Sequence, residues 1–468
     1  MIKWRKIKQM AQSVQFYSTN HGSPRVNFGE ALLQGLAPDK GLYMPEYIPT
    51  FTVEEIQAFS SKTYAEIACA VFSKFFAADI PADTLQTLCE DAYNFDIPLE
   101  NVCDRKYIMR LDQGPTASFK DFAGRAMGRL MQYFLNQKGE HKLILTATSG
   151  DTGSAVAHAF YDLPTIRVAI LFPKDEVTLR QRKQMTTLQK NIHVVAIDGK
   201  FDDAQAMVKE AFSDADLAHL QLTSANSINI GRLIPQAVYY FYAYSRLAKN
   251  GDASTGSATE KATFCIPSGN FGDMMGCVIA REMGLPIAKI LIASNANNEF
   301  EQMLKTQTYS KIEPSIDCLS SAMNVGHPSN LARLVELYGG NMDEKGAILK
   351  QPDFAAMNRD FFALSVSDDE TKQTIKNTWN TYKVMLEPHG AVGWKCVEDY
   401  IKTAQISENE LIISLETAHP AKFPDAIIEN IGIDPELPAS LQGIEAKPEK
   451  FDTMEGNYAA FKRYLLNL

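Results

Sequence analysis

The chain has 468 residues, of which 45% are hydrophobic and 22% charged, with a formal net charge of −10; this is the make-up of an ordinary soluble globular protein of about three domains. The acidic balance argues against a nucleic-acid binder, which normally presents a basic face, and leaves small anionic substrates open through local positive sites. The seven cysteines form no C-x-x-C pair and suit a reducing compartment, the eight histidines show no H-x-x-x-H spacing that would suggest a metal, and no apolar run nears a membrane span.

The opening stretch MIKWRKIKQM is basic, but no apolar signal segment follows it. A transit peptide and initiation at Met10 are both open, with the cytoplasm as the default location. Residues 24–100 read as helix and loop, and FTVEEIQAFSSKTYAEIACAVFSKFF is predicted as a strong amphipathic helical segment. From 101 onward the pattern changes. The short apolar runs KLILTA, RVAILF, NIHVVAI, ATFCIP and AKILIAS alternate with longer helical patterns. Such alternation predicts repeated β-α units, hence an α/β fold with a mostly parallel sheet and a helical N-terminal portion. The polar stretch AKNGDASTGSATEKA, 248–262, reads as an exposed loop.

Within QGPTASFKDFAGRAMGRL, 113–130, Phe119, Phe122, Ala126 and Leu130 recur at helical intervals, which describes a helix face turned into a core. Lys120 falls in the first turn, with Thr116 and Ser118 as expected caps. A lone lysine there ordinarily snorkels to water; the functional alternative is a desolvated amine held beside a cofactor carbonyl.

Three segments share a strand-loop-helix layout with unusual loop residues, at the strand ends where ligands collect in open α/β sheets. In KLILTATSGDTGSAVAHAF, a strand ends near Ala147 and the loop Thr148-Ser149-Gly150-Asp151-Thr152-Gly153 converges hydroxyls and first-turn amides on one point. This suits a carboxylate or phosphate; the bland alternative is a helix capped by Asp151 or Thr152. In ATFCIPSGNFGDMMGCVIARE, the turn Ser268-Gly269-Asn270-Phe271-Gly272-Asp273 reads as an anion nest at a helix N-terminus. Without the Lys-Ser/Thr of a P-loop or the G-x-G-x-x-G spacing of a dinucleotide site, it suits a single phosphate. In LIISLETAHPAKFPDAI, Glu416, Thr417 and His419 sit at a strand end, where a hydroxyl could meet a ring nitrogen. His419, and Glu387 and His389 in LEPHGAVGWK, read first as structural groups. A lysine amine, a phosphate nest, a carboxylate loop and a strand-end hydroxyl are together what pyridoxal phosphate asks for.

The blocks PTASFKDFAGR, TATSGDTGSAVAHAFYDLP, LTSANSINIGRL, PSGNFGD and ETAHPAKF, with EALLQGLAPDKGLYMPEYIP ahead of them, resemble those of the threonine synthase family of fold-type II pyridoxal-phosphate enzymes, in the same order. The resemblance spans nearly the whole chain and is nearest to the longer class with an extended N-terminal domain. It implies a mainly helical N-terminal domain (1–100), a large cofactor-binding α/β domain (101–140 and 226–430), a small α/β domain carrying the substrate loop (141–225) and a C-terminal segment (431–468). It further implies that Lys120 forms the internal aldimine, that Gly269, Asn270, Phe271 and Gly272 hold the cofactor phosphate, and that Thr417 faces the pyridine nitrogen. Thr148, Ser149, Asp151 and Thr152 would receive the substrate carboxylate. For the substrate's own phosphate, Asn226, Asn229 and Arg232 are favoured, with Arg125 and Arg333 as competitors. Where many relatives carry S-T-R-G, this chain has STNHGSP, so a substrate role for residues 18–21 is in doubt.

The implied reaction turns O-phosphohomoserine and water into threonine and phosphate by γ-elimination and β-addition. No metal, nucleic acid or membrane enters, and monomer and homodimer both remain open. The rival readings are a phospho-lyase releasing 2-oxobutyrate, a dehydratase of the same fold, and a catalytically dead binding protein.

Overall fold

Two threonines break the amphipathic segment expected over residues 51–76. Thr52 with Glu55, and Thr63 with Glu66, each form a reciprocal capping box, so Val53–Ala58 and Tyr64–Phe76 are separate helices. A hydroxyl followed by a carboxylate three residues on satisfies the orphan amides of a new helix start, and that local bonding outweighs continued apolar periodicity. The computed structural model describes residues 13–148, 150–249, 259–404, 406–407 and 409–468. The basic opening stretch, Ser149 and most of the polar 248–262 loop lie outside these.

In the N-terminal portion, β1 (Phe16–Ser18) pairs antiparallel with β2 (Tyr43–Pro45) beside the helices. The main strands follow: β3 (Leu99–Cys103), β4 (Lys106–Arg110), β5 (Lys142–Ala147), β6 (Ile166–Pro173), β7 (Ile192–Asp198), β8 (Leu222–Thr223), β9 (Ala262–Pro267) and β10 (Ile287–Ser294). After the short antiparallel pair β11 (Asn341–Met342) and β12 (Ile348–Lys350) come β13 (Phe361–Ser365), β14 (Leu411–Glu416) and β15 (Asp452–Glu455).

The larger sheet has six strands in the order β13-β10-β9-β14-β4-β3, parallel except for β3 against β4. The smaller has five, in the order β15-β7-β6-β5-β8, all parallel. The segment 431–468 therefore does not stand apart: its strand β15 closes one edge of the smaller sheet. β9 and β14, at the centre of the larger sheet, are wholly buried, as a parallel strand covered on both faces must be.

The order of strands positions the site. From β9 the chain winds outward through β10 to β13, then returns to place β14 on the other side of β9. From β5 it winds through β6 to β7, then returns to place β8 on the other side of β5. Adjacent loops diverge at such reversals and leave a crevice beyond the strand ends. The loops 268–271 and 148–150 follow β9 and β5, so each stands at the reversal of its own sheet.

Candidate active site

The helix Lys120–Lys138 starts at Lys120 itself, and no side chain caps it. The capping expected of Thr116 and Ser118 is replaced by a reverse arrangement: Thr116 N and Oγ1 donate to Asp121 Oδ2 and Oδ1 at 2.8 and 2.7 Å. A carboxylate in the first turn is the stronger acceptor and takes both donors. Phe119 N donates to Thr417 O at 2.9 Å and His419 N to Ala117 O at 3.0 Å, which ties the lysine's turn to the end of β14. One turn into the helix, the Phe122 ring is gripped by Phe95, Tyr64 and Tyr239, at centroid distances of 4.9, 5.5 and 5.7 Å.

So anchored, Lys120 points inward. Its side chain is only 13% exposed, and Nζ lies 3.6 Å from Asp151 Oδ2. Burial lowers its pKa below the usual lysine value; Asp151 opposes the shift, and Lys422 and Arg232 add to it.

The 268–273 loop leaves its donors unengaged. Phe271 adopts the left-handed conformation (φ 60°) as the residue before the helix Gly272–Glu282. Among the described residues the amides of Gly269, Asn270, Phe271 and Gly272 meet no protein acceptor, and Ser268 Oγ is buried without a partner. The side chain of Asn270 is structural: Nδ2 donates to Ser227 Oγ at 2.5 Å, and Oδ1 accepts from Ser329 N at 2.6 Å. A Cβ on Gly269 would stand 3.0 Å from both Ala322 O and Met323 Cα, so the backbone packs as closely as glycine permits. Behind the loop, Tyr239 and Tyr240 donate to Asp273 Oδ1, while burial pushes this carboxyl up to about 6.

The 148–153 loop engages its groups internally. Thr148 Oγ1 accepts from Gly150 N and Gly153 N at 2.9 and 2.8 Å. Gly150 holds φ 131°, a conformation that side chains rarely tolerate. Asp151 does not cap its helix, and neither does the half-buried Thr152. The Asp151 carboxylate instead accepts from Lys422 Nζ at 2.6 Å and Gln181 Nε2 at 3.0 Å, and the positive neighbours hold its pKa far below the usual range against the cost of burial. An acid turned into two lysines is unavailable to receive a carboxylate directly. Ser149 lies outside the described residues.

At the end of β14, Thr417 Oγ1 donates to Glu387 Oε1 at 3.4 Å. Glu387 bonds the ring nitrogen Nδ1 of His389, whose Nε2 accepts from Ala322 N at 3.1 Å. His419 Nδ1 accepts from Ala421 N at 3.2 Å, which supports its structural reading.

Occupied donors separate the three arginines. Arg333 donates to Tyr43 O, Ile228 O and Asn330 Oδ1. Arg125 donates to Ala92 O, Asp91 O and Asn94 Oδ1. Arg232 gives Nη1 to Ala225 O at 2.7 Å, but among the described residues its Nε is buried without a partner, as is the acceptor Asn226 Oδ1. Asn229 is engaged as the cap of the short helix Ile230–Leu233 and with Leu32 O. Residues 18–21 pack elsewhere, with Ser18 and Asn20 bonded to Asp39.

Lys422, Gln181 and Gln184 were not singled out from sequence, although Lys422 stands in ETAHPAKF. Lys422 and Gln184 both donate to Thr116 O at 3.0 Å, closing the frame around Lys120. Among the described residues no cluster of His, Cys, Asp and Glu could hold a metal ion, and no helix is long and apolar enough to cross a membrane.

The chain matches known families along most of its length: threonine synthase N terminus over residues 15–93, pyridoxal-phosphate dependent enzyme over 96–417, and threonine synthase, C-terminal, over 390–465. The threonine synthase of Haemophilus influenzae is 36% identical over 458 residues, covering 97% of this chain and 100% of that protein. The Escherichia coli threonine synthase is 34% identical over 455 residues, with the same coverage. Among solved structures, PLP-bound threonine synthase from Brucella melitensis superposes with a TM-score of 0.89 at 34% identity, over 97% of this chain and 99% of that one. Yeast threonine synthase gives 0.87 at 30%, over 97% and 98%.

Proposed function

The chain belongs to the threonine synthase family of pyridoxal-phosphate-dependent lyases, and from that premise we propose that it converts O-phosphohomoserine and water into threonine and phosphate, with Lys120 as the reacting lysine. The observation that carries this reading is one inward-pointing amine flanked by two separate sets of unengaged anion-binding groups. One is the run of amides at Gly269–Gly272; the other is the buried Arg232 Nε. A reaction whose cofactor and substrate each bring a phosphate needs both.

The residues fit pyridoxal phosphate by their chemistry. Backbone amides at a helix N-terminus, with a buried hydroxyl beside them, suit a phosphate group, and the Thr417 hydroxyl would suit the pyridine nitrogen by turning its proton from the long 3.4 Å contact with Glu387. Once bound, the cofactor supplies a sink for the charge that develops at the substrate's Cα. This chain's own residues do the rest. Lys120 removes and returns the proton at Cα, for which it must be a free amine near neutral pH, as burial favours. Arg232 and Asn226 hold the substrate phosphate that leaves from Cγ. Thr148, Ser149 and Thr152 receive the carboxylate, and Asp151 keeps the loop registered against Lys422 and Gln181. Closure of this loop excludes water until it is needed at Cβ.

This reading assigns the larger sheet to the cofactor-binding domain and the smaller sheet, with β15, to the closing domain. It places the enzyme in the cytoplasm, consistent with seven free cysteines.

The test has two parts. Borohydride treatment of the holoenzyme and peptide mapping identify the lysine that carries the cofactor, and Lys120 rather than Lys422 is expected. Incubation with O-phosphohomoserine should then yield threonine and phosphate in equal amounts. A product pool dominated by 2-oxobutyrate would overturn the synthase reaction and leave a phospho-lyase.

A further inference from the structure

Two lysines, one fully buried and one largely so, meet one carboxylate. Asp151 Oδ1 accepts from Lys422 Nζ at 2.6 Å, while Asp151 Oδ2 stands 3.6 Å from Lys120 Nζ. The Lys422 side chain is 0% exposed and makes a second bond to Thr116 O at 3.0 Å. Among the described residues Lys120 has no such second acceptor; its amine also lies against the face of the Phe119 ring, 4.7 Å from the centroid.

Two ammonium ions against one carboxylate would leave a net positive charge in a poorly hydrated site, which is costly. The cost falls if one amine gives up its proton, and the geometry selects which. Lys422 holds the closer contact and a carbonyl acceptor that rewards its N–H donors. Lys120 holds only the longer contact. The charged groups facing Lys120 come from five places: Asp151 on the helix Asp151–Phe160, Lys422 on the turn Pro420–Lys422, Arg232 on Ile230–Leu233, Glu387 ahead of the helix Pro388–Ala404, and Asp273 on Gly272–Glu282. Removing Lys422 would strip one of the two cations and leave Asp151 with Lys120 as its nearest partner.

We propose that Lys422 is a positioning residue for the reaction, one whose ammonium takes up the Asp151 carboxylate so that Lys120 can stand beside it as a free amine. The proposal rests on the reading of Lys120 as the reacting lysine. It also assigns Asp151 a constant partner: because Lys422 neutralises it throughout, Lys120 can lose and regain a proton without leaving a buried carboxylate unpaired. Lys422 itself touches neither substrate nor reacting atoms in this scheme and acts through Asp151.

The experiment reads the protonation of Lys120 directly. Full-length protein freed of cofactor is trace-acylated across a pH series, and the Lys120 peptide is quantified by mass spectrometry. A parallel pH titration follows the visible absorption of each holoenzyme. Lys422→Met should raise the Lys120 midpoint by about one pH unit or more, so that its acylation at neutral pH falls roughly tenfold. Lys422→Arg, which keeps the charge, should restore the wild-type midpoint. Asp151→Asn should move it the other way, downward.

A Lys422→Met protein with wild-type circular dichroism and an unmoved or lowered midpoint overturns the proposal. If Lys422→Met does not fold, Asp151→Asn decides, because an unchanged or raised midpoint there is equally fatal. A borohydride-trapped lysine other than Lys120 would defeat the functional reading instead. That outcome is separate, since the acylation midpoints still report whether Lys422 and Asp151 govern the Lys120 amine.

Discussion

The loops after β5 and β9 have the same layout, each a short Gly-containing turn at a strand reversal leading into a helix, yet their polar groups are disposed in opposite ways. In the 268–273 loop the amides of Gly269–Gly272 and the Ser268 hydroxyl meet no protein partner among the described residues. In the 148–153 loop Thr148 takes up two amides and Asp151 is taken up by Lys422 and Gln181. On the proposed function the first is a preorganised receptor, its donors aimed and, among the described residues, free of competing bonds. The second is a self-bonded element; on the proposed function it would exchange internal partners for a ligand, which is how a closing loop can report that substrate has arrived.

The largest effect should come from attacking the receptor. Gly269→Val forces a branched side chain where even a Cβ would sit 3.0 Å from Ala322 O and Met323 Cα. It should weaken pyridoxal-phosphate affinity by about 100-fold or more, equivalent to roughly 3 kcal/mol, measured by titrating the visible absorption. Full occupancy at wild-type affinity would break the comparison at its first term.

Next in size is the closing loop. Thr148→Val keeps the shape of the side chain but removes the acceptor for Gly150 N and Gly153 N, and an unsatisfied buried donor costs about 1–3 kcal/mol. We expect kcat/KM to fall roughly 10- to 100-fold with cofactor affinity unchanged. If both loops lose cofactor alike, they are not different kinds of element.

Arg232→Gln sharpens the second anion site. KM for O-phosphohomoserine should rise about tenfold, at the scale of one charge-assisted hydrogen bond, and inhibition by inorganic phosphate should weaken with it. Arg125→Gln and Arg333→Gln, whose donors are bonded to protein oxygens, should lower thermal stability and leave KM in place.

These contrasts mark what the sequence could show. Strand-loop-helix units were legible because their signals are local: an apolar run, a glycine turn, then helical periodicity. β13, FFALS, escaped because it is short and follows the helix Phe354–Asp360 directly. The caps at Thr52 and Thr63 were present in the sequence as S/T-x-x-E patterns, but the apolar period drew the reading past them. Around the site, the position of Lys120 in a first turn and the two loops could be marked from residue type and spacing, but that the lysine turns inward to Asp151 could not. The choice among Arg125, Arg232 and Arg333 was not, because it depends on which carbonyls each guanidinium meets. Lys422 was invisible for the same reason: its meaning lies in a partner on the other sheet's loop.

The smallest expected effect concerns the turn that holds Lys422 across from that loop. His419 begins it, and burial, helped by Arg110 and Lys422, lowers its pKa to about 4 from 6.5. Because the folded state resists protonation, the unfolded chain binds more protons between those values. Stability contributed by the neutral ring is therefore complete above pH 6.5 and declines as pH falls toward 4. Asp273, raised to about 6, and Glu299, raised to about 7, act in the opposite sense, so the wild-type curve alone cannot isolate the histidine. His419→Asn can, because an asparagine oxygen is able to replace Nδ1 as acceptor for Ala421 N while carrying no titrating group. Between pH 7 and pH 5.5 the variant should gain about 1 kcal/mol relative to wild type, by urea unfolding at each pH. A parallel pair of curves would mean that this turn is already hydrated, and that the seam between the two loops is looser than the packing of Lys422 implies.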